Sequence, residues 1–171
     1  MQFLTALLAR IRTAMTISEI EIRRAVPGDA SHIERLYREL VSNPAIAVLP
    51  ERISEIANDK ATALFVCEYG AVPQGTVLVS LCADAMFRSQ PFAVVENIVV
   101  GSTVRGCGIG AAMLRHVEAF CLANDCSKIM LLSSLQRENA HRFFERSGFI
   151  GSSKRGFVKY RSAFETWHEQ C

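Results

Sequence analysis

The sequence predicts an α/β fold in which helices flank a mixed, mostly antiparallel central sheet, and three features carry that expectation. The hydrophobic period switches between 2 and 3.6 residues along the chain, giving the order βααβββαβαβ. Two alternating runs at 61–69 and 75–83 enclose Gly70-Ala71-Val72-Pro73-Gln74, which reads as a hairpin turn. A β-branched run at 92–100 passes through a glycine-rich turn straight into a helix.

The chain has 171 residues, half of them hydrophobic, enough for one domain with a sizeable core. The expected division is an extension at 1–17 and a single domain at 18–171. Basic residues number 19 against 17 acidic, and a net charge of +2 is too small to argue for a nucleic-acid partner. The longest apolar runs are strand-length and broken by polar residues, so no membrane span is expected. Cys67, Cys82, Cys107, Cys121, Cys126 and Cys171 lack C-x-x-C or His-rich spacing, which argues against a disulfide framework and against zinc. A cytoplasmic protein with reduced thiols and no metal is expected.

Residues 1–14 contain no acid, and Phe3, Leu4, Leu7, Leu8 and Ile11 form a short helical stripe. Their positive charges follow the apolar part, the wrong order for a secretory signal. The segment reads as an accessory helix, or as sequence upstream of a start at Met15, with a transit peptide as the alternative. Residues 20–25 form the first strand. Ile33, Leu36, Tyr37 and Leu40 mark one face of a helix at 29–40. Pro44 breaks regularity and Pro50 opens a second helix, 51–58. After the hairpin, 84–91 is a polar connection to the strand at 92–100. In the following helix Ile109, Met113, Leu114, Val117 and Cys121 share a face, His116 falls on the polar side, and Asn124 ends the pattern. Residues 128–133 read as another buried strand and 149–160 as the last strand or strands. The tail from 165 to 171, with Trp167, reads as a terminal packing segment.

Gly106, Gly108 and Gly110 alternate just ahead of that helix, where backbone N–H groups can converge on a common concavity. The helix N-terminus and Arg105 add positive potential, so a diphosphate is the natural occupant. The spacing G-x-G-x-G differs from the dinucleotide fingerprint, and Ala111-Ala112 stand where a P-loop needs Lys and Ser or Thr. Both nucleotide readings lose.

The run Arg105-Gly106-Cys107-Gly108-Ile109-Gly110 resembles the Arg/Gln-x-x-Gly-x-Gly/Ala signature of the GNAT superfamily of acetyl-CoA-dependent N-acetyltransferases. Residues 140–149 look like that family's A-x-x-F-Y-E-x-x-G-F segment and residues 22–30 like its opening strand and first helix start, so the resemblance covers 20–160. It implies an N-acetyltransferase fold and acetyl-CoA as co-substrate. The pyrophosphate would lie on Arg105, Gly106, Cys107, Gly108, Ile109, Gly110 and Ala111, and the pantetheine arm along Ile98, Val99 and Val100. It further implies a backbone N–H near Ile98 or Val99 as oxyanion donor and Glu96 as general base. Strand alternation puts Asn97 on the opposite face, as a structural residue.

The acceptor implied is a primary amine of a small molecule, attacked directly in a ternary complex, and the resemblance also implies a homodimer. Two departures stand against the pattern. Phe144 occupies the place of the family's acidic tyrosine and Arg137 that of its asparagine. The thiolate would then leave toward water or take a proton from His141, Ser133 or Tyr160. An idle acyl-CoA-binding module and a protein-lysine or N-terminal acetyltransferase are the alternative readings.

Overall fold

The computed structural model describes residues 20–164. The stripe at 1–14 and the tail with Trp167 lie outside the described residues. By its internal contacts the chain divides after Leu131 into two compact units.

The first unit is built on a five-stranded sheet whose spatial order follows chain order. Its strands are β1 Ile20–Arg24, β2 Thr62–Tyr69, β3 Val72–Cys82, β4 Phe92–Val100 and β5 Ile129–Leu131. The first four pair antiparallel with their chain neighbours and β5 joins β4 in parallel, so the sheet is mixed and mostly antiparallel. The helices of this unit are α1 Ala30–Leu40, α2 Pro50–Asn58 and α3 Ile109–Ala123.

Alternation along the strands sends side chains to two cores. On one face Ala63, Phe65, Cys67, Val77, Val79, Ala93 and Val95 meet Ile109, Met113, Val117 and Cys121 of α3. On the other, Leu64 and Val66 meet Ile33 of α1 and Ile53 of α2. Gly75 lets α3 approach β3 closely, because an added Cβ would stand 2.8 Å from Met113 Sδ, 3.1 Å from Ile109 Cγ2 and 3.3 Å from Cys67 Cβ. Gly75→Ala is therefore expected to destabilise the fold by about 1–3 kcal/mol, the cost of overpacking, read as a lowered midpoint in urea with an unchanged slope.

The junction of β1 and α1 rests on Asp29, which is 4% exposed. Arg23 grips its carboxylate with both terminal nitrogens at 2.8 and 2.9 Å, and the Val26 amide donates to Oδ2 at 2.8 Å. The same guanidinium reaches Glu68 on β2. Burial alone would raise the Asp29 carboxyl, but the hydrogen bonds from Arg23 and the Val26 amide outweigh it and hold the group below its ordinary range. A depressed native value contributes stability above the unfolded value of about 3.9, and that contribution disappears as pH falls through the native one. Asp29→Asn should cost about 2 kcal/mol at pH 7. The difference in thermal midpoint between variant and native protein should shrink on acidification below pH about 4.

Three boundaries differ from the sequence reading. The hairpin turn is only Gly70 and Ala71, both at φ +61, because Pro73 sits inside β3 opposite Glu68 rather than in the loop. A register shift beside Cys67 and Glu68 absorbs Gln74 as the extra residue. The strand expected at 128–133 shortens to Ile129–Leu131. The strand or strands expected at 149–160 do not form among the described residues, where the chain is a turn at 151–153 followed by irregular backbone. Phe157, Val158 and Tyr160 are 86, 62 and 74% exposed, so the apolar alternation there marks no buried sheet face.

Candidate active site

The two edges of strand β4, the candidate site strand, are treated differently along its length. On the β5 side it is paired only at Ala93, Val94 and Val95, opposite Ile129, Met130 and Leu131. From Glu96 to Val100 that edge has no ladder partner among the described residues. On the β3 side Leu78 pairs with Glu96 but Thr76 pairs with Val99, so Asn97 and Ile98 together face Val77. This is a β-bulge, with Asn97 in the left-handed region at φ +53.

The bulge resets the alternation. Beyond it Ile98 and Val100 pack on the α3 core. Asn97 in the bulge is exposed, and Glu96 shares the α1 face of the sheet through its partner Leu78. The strict alternation that would put Asn97 opposite Glu96 holds only where no residue is inserted. Glu96 itself is exposed. A concavity of about 430 Å³ lies on this same face, lined by Arg52, Glu55, Ile56, Asp59, Thr62, Leu78 and Ser80.

After Val100 the chain is fastened before it reaches the glycines. The Gly101 amide donates to Gln74 O at 2.8 Å, and Ser102–Val104 makes a single 3-10 turn. The Ser102 amide donates to Glu39 Oε2 at 2.8 Å, and Arg105 Nη2 stands 3.8 Å from the same oxygen while its Nε donates to Val100 O at 3.1 Å. Burial would raise the Glu39 carboxyl; Ser102, Arg35 and Arg105 pull it lower. Glu39 went unnoticed in the sequence, where its only legible partner is Arg35 one helical turn away. Arg105 is thus turned back toward the strand and α1, with its side chain 59% exposed.

Gly106 and Gly108 take φ +85 and +84 with nothing within 4 Å of an added Cβ, whereas Gly110 belongs to the first turn of α3. Two glycines, not three, shape the turn. Cys107 between them is exposed. The first intrahelical bond runs from the Ala112 amide to Gly108 O at 3.0 Å, so the amides of Ile109, Gly110 and Ala111 precede the ladder. Ile109 can contribute only its backbone, because its side chain is 1% exposed in the α3 core. His116 is half-buried rather than fully solvated, its ring 4.6 Å from that of Phe65, and burial lowers its pKa.

The second unit carries helix α4, Glu138–Arg146. Phe144 is 8% exposed and packs on Phe143 and Phe149, as an apolar helical face should. Of the residues considered as thiolate acids, Tyr160 is 74% exposed and the His141 ring lies 2.9 Å from Ser134 O. Ser133 is half-buried.

The model of the acetyltransferase (GNAT) family aligns with residues 31–149. The chain belongs to the GNAT acetyltransferase family. Comparison with curated protein sequences gives no match. Among solved structures, this GNAT chain is similar to a protein of Agrobacterium tumefaciens strain C58 provisionally named an acetyltransferase. The TM-score is 0.74 and the identity 27%, covering 82% of this chain and 99% of that one. It is similar in fold to glucosamine-6-phosphate N-acetyltransferase of Arabidopsis thaliana (TM-score 0.71, identity 21%, 83 and 98% of the two chains). It is also similar in fold to the aminoglycoside N-acetyltransferase AAC(6')-Iy in complex with CoA (TM-score 0.70, identity 19%, 83 and 95%). In this GNAT protein no group of three His, Cys, Asp or Glu among the described residues is placed to hold a metal ion. No described helix is long and apolar enough to cross a membrane.

Proposed function

We propose that this GNAT protein transfers acetyl from acetyl-CoA to the primary amine of a small molecule, by direct attack in a ternary complex. One observation carries the reading: among the described residues the edge of β4 is unpaired from Glu96 to Val100 and leads into a turn with two left-handed glycines at the start of α3. Such an edge offers backbone groups to an extended, amide-bearing arm in the way a sheet accepts an added strand. Acetyl-CoA, when bound, supplies the acetyl group as a thioester. The residues at 105–111 hold its diphosphate through backbone amides and the dipole of α3. A backbone N–H at Ile98 or Val99 donates to the carbonyl oxygen as charge grows there, a contribution of about 3 kcal/mol.

Glu96 takes the proton of the incoming ammonium, directly or through water, because an alkyl amine with a pKa near about 10 is mostly charged at neutral pH. The concavity on the Glu96 face, with hydroxyls from Thr62 and Ser80 and carboxylates from Glu55 and Asp59, supports a polar small-molecule acceptor. Cytoplasmic location, a single domain over 18–171 and a homodimer complete the reading; light scattering of the purified protein tests the last.

The buried Phe144, where the family's tyrosine acid stands, favours one second reading, an acyl-CoA-binding module without turnover. Acetyl-CoA-dependent thiol release across amino sugars and their phosphates, aminoglycosides, polyamines, amino acids and lysine peptides separates the two. Release above hydrolysis with one class establishes the enzyme and its acceptor. Binding of acetyl-CoA with background rates throughout favours the module.

A further inference from the structure

The turn between β4 and α3 is fastened at its two ends and open between them. At the far end Ile109 is buried in the α3 core and the Ala112 amide donates to Gly108 O at 3.0 Å. Every residue from Arg105 to Gly108 is exposed, and nothing lies within 4 Å of a Cβ added at Gly106 or Gly108. Inside the turn the Cys107 amide reaches Val104 O at 3.4 Å, a long bond. Backbone sterics restrict glycine least, so the direction of these amides depends on what holds the near end.

The near end is tied to the helices on both faces of the sheet. Val104 packs on the α3 core, and toward α1 the Ser102 amide donates to Glu39 Oε2 at 2.8 Å. Glu39 is itself tethered, since Arg35 donates to its Oε1 at 3.1 Å and to Pro73 O on β3 at 3.1 Å. The Gly101 amide donates to Gln74 O at 2.8 Å, which turns the Val100 carbonyl to the edge away from β3, where Arg105 Nε meets it at 3.1 Å. Arg105 Nη2 lies 3.8 Å from Glu39 Oε2 on a side chain 59% exposed, and such an ion pair contributes little by itself. With that guanidinium engaged on its own strand, a diphosphate falls to the backbone amides of the turn, and their placement decides affinity.

We infer that Glu39 is a positioning residue for acetyl-CoA: by fixing the Ser102 amide to α1 it sets the start of the turn at 105–111, and so the convergence of its amides on the diphosphate. The inference rests on the proposed reading of that turn as the diphosphate site, and it gives Glu39 no contact with ligand. Its sign opposes bare electrostatics, because removing a carboxylate beside an anion site should by charge alone tighten binding.

The test is calorimetric titration of the full chain with acetyl-CoA and with S-acetylpantetheine, which lacks the diphosphate. Glu39→Ala should weaken acetyl-CoA roughly tenfold and leave S-acetylpantetheine within about twofold. Where turnover is measurable, the loss should appear in KM for acetyl-CoA rather than in kcat. Glu39→Gln keeps a carbonyl oxygen for Ser102 and drops the charge, so it should stay within about threefold of native affinity. Ser102→Pro deletes the N–H itself. It opens a 3-10 turn after Gly101 at φ −52 and ψ 135, backbone that accepts a following proline, and should match Glu39→Ala. The double variant Glu39→Ala with Ser102→Pro should be no weaker than the weaker single one.

Tighter acetyl-CoA binding by Glu39→Ala, equal losses for the two ligands, or a Glu39→Gln protein as weak as Glu39→Ala would overturn the role given to Glu39 while leaving the proposed function standing. Native protein that fails to bind acetyl-CoA at all would overturn the proposed function and this inference with it. Should Glu39→Ala fold poorly, Ser102→Pro decides: native affinity in that variant rejects the inference.

Discussion

Glu96→Gln is expected to lower turnover roughly a hundredfold to a thousandfold at pH 7 while leaving affinity for acetyl-CoA within about twofold. The substitution keeps the size and polarity of the side chain and removes only its capacity to take a proton. Because Glu96 is exposed and pairs across the sheet with Leu78, its change should not disturb the core. The residual rate should climb with pH as more of the acceptor amine loses its proton unaided, so that the gap between variant and native protein narrows toward the amine's own pKa near about 10. A flat profile, or native turnover at neutral pH, would reject Glu96 as the base.

Gly108→Val should be the most damaging single change in the loop. Gly108 precedes the first turn of α3 at φ +84, a conformation that a β-branched residue adopts only at a cost of about 1–3 kcal/mol. The space around an added Cβ is open, so the penalty is backbone strain and not collision. The chain can relieve that strain by rotating the peptide, which turns the amides of the loop away from any diphosphate. A loss of about 2 kcal/mol corresponds to roughly thirtyfold weaker CoA binding by calorimetry. Binding at native strength would show that the loop does not carry the diphosphate.

The bounds of β4 at Phe92–Val100 and the apolar face of α3 were legible, because a β-branched run, a glycine turn and a 3.6-residue stripe each impose a distinct local geometry. What the sequence hid were cross-element events. Nothing in Glu96-Asn97-Ile98 announces a bulge, which exists because β3 offers one residue, Val77, where β4 supplies two. Pro73 reads as a breaker, yet proline is tolerated in a strand wherever its missing N–H is not needed by the ladder. Glu39 looks like half of a helix-surface ion pair, and its hold on Ser102 depends on how α1 packs. The exposed run around Phe157 shows the reverse failure, a strand-like pattern without a sheet face beneath it.

Strand order that follows chain order has a kinetic corollary. Each of β1 to β4 finds its sheet neighbour as the next strand along the chain, and β2–β3 closes through a two-residue turn that can form in microseconds. Only the three-residue parallel pairing of β5 with β4 must await the crossover through α3. The β5 pairing is thus expected to form after the β2–β3 hairpin and to open before it. Amide hydrogen exchange should find Ile129–Leu131 exchanging faster than β2 and β3, an ordering that places the weakest pairing of the sheet next to the proposed acetyl-CoA strand.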